Sequence, residues 1–290
     1  GVPREVVERA AAGAPEPSLL ERDVTTSSVV PDGTRIEGRA VARSGGVVCG
    51  LPIAQRLFET LASATGRAES VELFPLVAEG ADARAGEPVA EVTADARVVL
   101  AGERSALDVL MTLSGIATAA RAWQLEAGDG LEVVDTRKTL PGLRALSKYA
   151  VRVGGARNHR EGLWDMVLVK DNHLAAAGGI FDAVEAARAR HPELAVEVEA
   201  DTVAQAVEAA EAGADMVLLD NMDDETLRLA VAEVRRVSAE ADRTCLTEAS
   251  GGVTIERLAR LAATGVDRVS ASAVVIDRVE IFIQGDGSDH

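Results

Sequence analysis

From residue 131 onward the chain alternates short β-branched runs with amphipathic helical stretches, and that alternation leaves few folds open. LEVVDT (131–136) precedes a helical stretch from Pro141 to Val153, and DMVLVKD (165–171) precedes one near 180–190. LAVEVEA (194–200) then leads to TVAQAVEAAEAG, DMVLLDN (215–221) to DETLRLAVAEVRR, and TCLTEAS (244–250) to TIERLARLAATG, with DRVSAS (267–272) closing the series. Short apolar strands separated by helices imply a parallel sheet covered on its outer face. About six units suit an α/β barrel, complete or open.

Residues 18–102 have another texture. TRIEGRAVARSGGVVCG reads as strand, LPIAQRLFETLASATG as helix, and VELFPLVAEGADARAGEPVAEVTADARVVLAGER as short strands with Gly, Pro and Asp turns. That is an α+β segment preceding the barrel. A long helical stretch from Glu103 to Glu126 is expected to join the two.

The strands of the repeat run out into polar residues: Asp135-Thr136-Arg137-Lys138, Lys170-Asp171-Asn172-His173, Glu199, Asp220-Asn221, Glu248-Ala249-Ser250-Gly251-Gly252 and Ser270-Ala271-Ser272. In a βα barrel all of these lie on one rim, so residues far apart in sequence converge on a ligand. Any single polar strand end is explained by loops being polar, but six coincident ones form a set.

Charge narrows the ligand. Residues 137–170 carry eight Lys/Arg against two Asp/Glu, while the remainder carries 22 against 45, and all three lysines of the chain (Lys138, Lys148, Lys170) fall in that basic island. A sequence pI near 4.7 argues against a nucleic-acid or anionic-membrane surface, either of which needs a broad positive footprint. A small anion held in one pocket fits better. Arg144, Lys148 and Arg152, spaced at four and four, read as a solvated helix face. Arg137, Lys138, His159, Arg160 and Lys170 do not, because they sit among glycines or at the ends of apolar runs.

On the rim, Glu199 and Asp220 offer two carboxylates from neighbouring strands, suited to Mg²⁺, which binds through few carboxylates and keeps substrate phosphates. Ser250-Gly251-Gly252 opens a helix whose free N–H groups suit a phosphate, although glycines there serve equally as turn residues. Arg137 and Arg160 are forks matched to carboxylates, and Lys138 and Lys170 are compact charges for phosphate oxygens. His159 and His173 lack zinc spacing. Cys49 and Cys245 are too few for a disulfide framework, which points to a reducing compartment; neither reads as nucleophile or ligand. With no membrane-length apolar run and no signal-peptide core in GVPREVVERAAAG, a cytoplasmic location is expected.

The motifs DVTTSSVVPDG, GGVVCGLPIA, GERSALDVLMTLSGIAT, DTRKTLPGLRALSKYAV, NHREGLWDMVLVKDNH, EVEADT, LLDN and EASGG occur in order from Asp23 onward. Together they make the chain resemble the quinolinate phosphoribosyltransferases, also called carboxylating nicotinate-nucleotide pyrophosphorylases, from Asp23 to about Ser272. The resemblance implies an N-terminal α/β sandwich over residues 1–107 and an open seven-stranded α/β barrel over 108–273, with the tail 274–290 packing back on the sandwich. It implies a homodimer or a multiple of dimers, Mg²⁺ as cofactor, and no nucleic-acid or membrane partner.

It also implies a reaction of quinolinate with phosphoribosyl pyrophosphate that yields nicotinate mononucleotide, pyrophosphate and CO₂ in NAD biosynthesis. Carried over by position, Arg137, His159 and Arg160 hold the quinolinate carboxylates, and Lys138 and Lys170 stand at the pyrophosphate and carboxylate end. Glu199 and Asp220 face the ribose and the metal, the metal directly or through water, Ser250, Gly251, Gly252, Ala271 and Ser272 form the phosphate side, and Arg104 comes from a neighbouring subunit. The sequence departs from the family at Arg22, Asp108, Ala156-Arg157, Ser272 and Val275-Ile276. These departures keep two alternatives open: a paralogue acting on another aromatic carboxylate, and a catalytically silent binding protein of the same fold.

Overall fold

The computed structural model describes residue 20, residues 22–67 and 71–275, and the backbone of 281–285. The chain divides into two compact units, residues 1–112 with 279–290, and residues 113–278.

In the first unit, β1 (Arg35–Ala42) is followed by β2 (Gly46–Val47), a helix over Leu51–Ala64, β3 (Glu72–Pro75), β4 (Asp82–Ala83) and β5 (Pro88–Asp95). The helix buries Leu51, Ala54, Phe58 and Ala62, a stripe at helical spacing that packs with Val89, Val98, Leu107 and Leu110. Burying a side chain such as Phe58 contributes roughly 1.5–3 kcal/mol. Its first turn is closed from outside: the Glu79 carboxylate accepts from Gly50 N–H (2.6 Å) and Leu51 N–H (3.2 Å), satisfying orphan donors where an anion is favoured.

The long helix spans Ala96–Ala127, so ARVVLAG is helical where the β-branched pair Val98-Val99 reads as strand. Asp95, the last residue of β5, accepts from Arg97 N–H (2.9 Å) and turns the chain directly from strand into helix.

The second unit is the βα repeat: β6 (Glu132–Val134), a helix over Arg144–Gly154, β7 (Val167–Val169), helices over Asp171–Ala177 and Ile180–Arg190, β8 (Val196–Ala200), a helix over Val203–Ala212, β9 (Met216–Asp220), a helix over Asp224–Glu240, β10 (Leu246–Ser250), a helix over Leu258–Ala262 and β11 (Arg268–Ser270). These strands pair in parallel in the order β6-β11-β10-β9-β8-β7. A seven-stranded barrel was the expectation. Among the described residues six strands form the sheet, and an isolated parallel bridge from Val134 to Arg157 stands beyond β6 in the place of a seventh. The sheet is open between that bridge and β7. Gly154 permits its helix to meet the long one closely, since a Cβ there would lie 2.3 Å from the carbonyl oxygen of Ala117.

The chain's last strand, β12 (Ile281–Gly285), belongs to the first unit and pairs antiparallel with β1, Gly38 facing Gly285 and Ala42 facing Ile281. That completes a sheet in the order β12-β1-β5-β3, beside the two-stranded pair β2-β4.

Candidate active site

Strand alternation sets two layers of side chains at the mouth of the parallel sheet. Along β8, Glu197 and Glu199 share one face while Val196, Val198 and Ala200 share the other, which is buried. Parallel register places Glu199 opposite Leu218 on β9, and Asp220 opposite Ser250 on β10. The C-terminal ends of these strands surround a cavity of about 670 Å³. Its lining includes twelve of the residues singled out from sequence: Arg137, Lys138, His159, Arg160, Lys170, Glu199, Asp220, Ser250, Gly251, Gly252, Ala271 and Ser272. Arg104 is not among them; it is exposed on the long helix, 3.9 Å from Asp108 one turn on.

The cations are arranged unevenly. Lys170, at the end of β7, is ion-paired with Glu199. Burial and the neighbouring Arg137 guanidinium push Arg160 below its ordinary value, and a buried Nε of Arg137 has no hydrogen-bond partner. Two guanidinium groups repelling each other at the wall of a cavity are stabilised when an anion enters between them. Asp220 accepts from Asn221 Nδ2 (2.6 Å). Gly251, at φ +85°, lies so close to Asn221 that a Cβ would meet its side-chain oxygen at 2.1 Å, so only glycine fits this turn. Across the mouth, Ser272 Oγ lies 3.2 Å from Thr136 Oγ1, which also accepts from Lys138 N–H (3.0 Å).

From His159 and Glu248, which line the cavity, a set of buried polar groups continues inward, and in it sequence reasoning misplaced Lys148 and missed Glu197. Lys148, read above as part of a solvated helix face, is buried: its Nζ is 2.5 Å from Asp135 Oδ1 and donates to the carbonyl oxygen of His159 (2.9 Å). The physical reason is that it lies within the buried stripe of Ser147, Ala150, Val151 and Gly154, so its stem packs inward. Burial pushes the Asp135 carboxyl up, with Lys148 and the His159 N–H opposing. His159 also donates its N–H to Asp135 Oδ1 (2.9 Å). Its ring Nε2 stands 3.0 Å from Glu197 Oε2 and 3.6 Å from Glu248 Oε1, and Arg268 Nε is 3.3 Å from Glu248 Oε2. The signal for Glu197 was present in VEVEA: in a strand covered on its other face, a glutamate two residues before a rim glutamate must point into the barrel.

Residues 23–114 match the family model for the quinolinate phosphoribosyl transferase N-terminal domain, and residues 116–281 match that for the C-terminal domain. The chain belongs to the quinolinate phosphoribosyl transferase family. It is 42% identical over 253 residues to the carboxylating nicotinate-nucleotide pyrophosphorylase of Mycobacterium leprae, covering 87% of this chain and 86% of that one. With the human protein of the same name it shares 41% over 234 residues, 79% of this chain and 74% of that one. Among solved structures, the nicotinate-nucleotide pyrophosphorylase from Francisella tularensis superposes with a TM-score of 0.83 at 30% identity, covering 99% of this chain and 98% of that one. NadC from Streptococcus pyogenes does so at 0.82 and 32%, covering 98% and 97%.

Departures from the quinolinate phosphoribosyl transferase motifs sort by position. Arg157 does not line the cavity; it pairs with Glu132 (2.7 Å) while its backbone makes the bridge to β6. Ser272 does line it. Val275 is buried, and Ile276 lies outside the described residues. His173 turns its Nδ1 to the N–H of Lys170 (2.9 Å), which closes the first turn of the following helix rather than facing a metal. Cys49 and Cys245 are buried and not joined in a disulfide, and burial pushes both thiols up. None of the described helices is long and apolar enough to cross a membrane.

Proposed function

We propose that the chain joins quinolinate to the ribose of phosphoribosyl pyrophosphate and releases pyrophosphate and CO₂, leaving nicotinate mononucleotide for NAD biosynthesis. The observation that carries this reading is the pairing of Arg137 with Arg160, joined by Lys138 and Lys170, in one cavity of an otherwise acidic chain. A dianion neutralises such a group; a monoanion leaves part of it unpaired.

The residues divide the work by charge. Arg137 and Arg160 hold the two carboxylates and orient the ring nitrogen toward C1′ of the ribose. As the nitrogen attacks, the bond from C1′ to the pyrophosphate oxygen breaks, and Lys138 and Lys170 neutralise the departing anion. Glu199 and Asp220 face the positive charge that develops on the ribose. The ring, now a pyridinium, accepts the electron pair released when the carboxylate beside the nitrogen leaves as CO₂, and a proton from solvent takes its place on carbon. Acid–base work by side chains is small, so positioning and electrostatics dominate.

Two hard carboxylates on adjacent strands fit Mg²⁺, and Glu199 and Asp220 would hold it. Bound there, the ion would supply neutralisation of the pyrophosphate. Ser250, Gly251, Gly252, Ala271 and Ser272 line the cavity on the side suited to the donor's 5′-phosphate. Contrary to the sequence expectation, Gly251 and Gly252 do not open a helix but form a positive-φ turn ahead of the helical turn at Ile255. We further propose a homodimer in which Arg104, exposed in this chain, reaches a neighbouring subunit's cavity.

Titration calorimetry tests the acceptor. Quinolinate should bind at least about tenfold more tightly than nicotinate, the monoanion lacking the carboxylate beside nitrogen. Equal affinity for the two acids would favour a paralogue that uses a different aromatic acid.

A further inference from the structure

His159 lines the cavity, yet its polar atoms are all engaged by the protein. Its N–H goes to Asp135 and its carbonyl accepts from Lys148. Its Nδ1 accepts the N–H of Arg160 at 2.7 Å. Its Nε2 faces Glu197 and Glu248 at 3.0 and 3.6 Å. The two glutamates are wholly buried, and none of their four oxygens has a hydrogen bond of good geometry. A carboxylate pair buried in this way is costly and needs a reason.

The tautomer decides what that reason is. Because Nδ1 receives the Arg160 N–H, it carries no hydrogen, so the neutral ring carries its hydrogen on Nε2. A protonated Nε2 cannot ligate a metal, and this rules out the His159, Glu197 and Glu248 cluster as a metal centre in this arrangement, although the three ligand atoms lie within 4.8 Å of one another. For the ring's charge two influences conflict. Burial opposes the imidazolium, while Glu197 and Glu248 favour it and on balance push His159 up. A second proton would have to sit on Nδ1, facing the Arg160 N–H, and that repulsion opposes the imidazolium. Burial, and then Glu197, push the Glu248 carboxyl up to about 7.

The geometry points to His159 as a positioning residue rather than a ligand of the acid: Glu197 and Glu248, backed by Arg268, anchor its ring from inside the barrel so that Nδ1 fixes the backbone of Arg160 and aims that guanidinium into the cavity. This rests on the quinolinate reading given above. It assigns the buried glutamates a part in recognising the acceptor acid and none in recognising the phosphorylated donor. Asp135 and Lys148 hold the same residue by its backbone, so His159 is fixed from two sides.

The test compares Glu248→Leu with Glu248→Gln, and His159→Ala with His159→Asn, measuring KM for quinolinate and for phosphoribosyl pyrophosphate separately. Glu248→Leu should raise the quinolinate KM by about tenfold or more while the donor KM stays within about twofold, and Glu248→Gln should restore most of the loss. His159→Asn should bind quinolinate better than His159→Ala, because the amide oxygen can accept the Arg160 N–H. Nitrogen-15 imidazole spectra of the wild-type protein should show His159 with hydrogen on Nε2 and none on Nδ1. Should Glu248→Leu fail to fold, the His159 pair and the spectra still decide. Equal rises in both KM values, identical behaviour of His159→Asn and His159→Ala, hydrogen on Nδ1, or a tightly held metal lost on His159→Asn would each overturn the assignment. A wild-type protein that ignores quinolinate would instead sink the functional reading, leaving the spectra to judge the strut alone.

Discussion

Lys148 Nζ sits 2.5 Å from Asp135 Oδ1 with both side chains buried, behind His159, which lines the cavity together with Lys138 and Lys170. Removing one member of such a pair leaves an uncompensated charge in the interior. Lys148→Met should therefore cost about 3–5 kcal/mol, whereas Arg152→Ala, on the exposed side of the same helix, should stay within about 0.5 kcal/mol. Denaturant melts of the two variants check this, and similar small losses in both would return Lys148 to the solvated face.

The cavity lysines should behave differently. Lys138→Ala and Lys170→Ala should each lower turnover by about tenfold or more with little change in stability, since on the proposed reading each removes a charge that neutralises the departing anion. Arg152→Ala is the control. Arg144 is unsuitable for that purpose because its Nε is buried without a partner. Steady-state rates beside melting curves separate the two kinds of lysine, and equal turnover in all three variants would contradict the division.

Stability should also carry a mark of the buried glutamates. Glu248 faces Glu197, His159, Arg268 and Ser270, and its carboxyl is pushed up to about 7 from 4.5. Between those values the folded protein holds a proton that the unfolded chain has released, so this group's contribution to stability is full below about pH 4.5 and is lost as pH rises to about 7. Glu248→Gln has no such proton to lose. Relative to that variant, the wild-type protein should lose stability between about pH 5 and about pH 7 and then level off. A difference constant across the range would show that Glu248 ionises as an ordinary carboxylate.

Rim residues were legible because a repeat of strand and helix puts every strand's C-terminal end on one side, so polar run-outs in sequence become neighbours in space. The network beneath was not. Lys148 shares a spacing of four with Arg144 and Arg152, and charge alone made that a surface pattern; only its company in the stripe of Ser147, Ala150, Val151 and Gly154 separates it. Glu197 was hidden by a strand rule, since Val-Glu alternation ordinarily marks a half-exposed strand, while here helices cover one face and the barrel interior encloses the other. Asp135, read as the first residue of a rim run-out, is buried, while Thr136 beside it lines the cavity. The helical start at Ala96 was obscured by Val98-Val99, whose strand preference yields to packing in the first unit's core.

Assembly has its own test. Arg104→Ala and Lys138→Ala homodimers should each be poor enzymes, yet an equal mixture allowed to exchange subunits should recover roughly a quarter of wild-type activity if one site per heterodimer is intact. Absence of recovery, with exchange demonstrated by mass, would confine Arg104 to its own subunit.

The most direct measurement of the central claim follows labelled carbon through one reaction. Quinolinate labelled in the carboxylate beside nitrogen, given with Mg²⁺ and phosphoribosyl pyrophosphate, should yield labelled CO₂ and unlabelled nicotinate mononucleotide in equal amounts by mass spectrometry. Quinolinate bound in the cavity with neither product formed, or another aromatic acid ribosylated while quinolinate is returned intact, would contradict it.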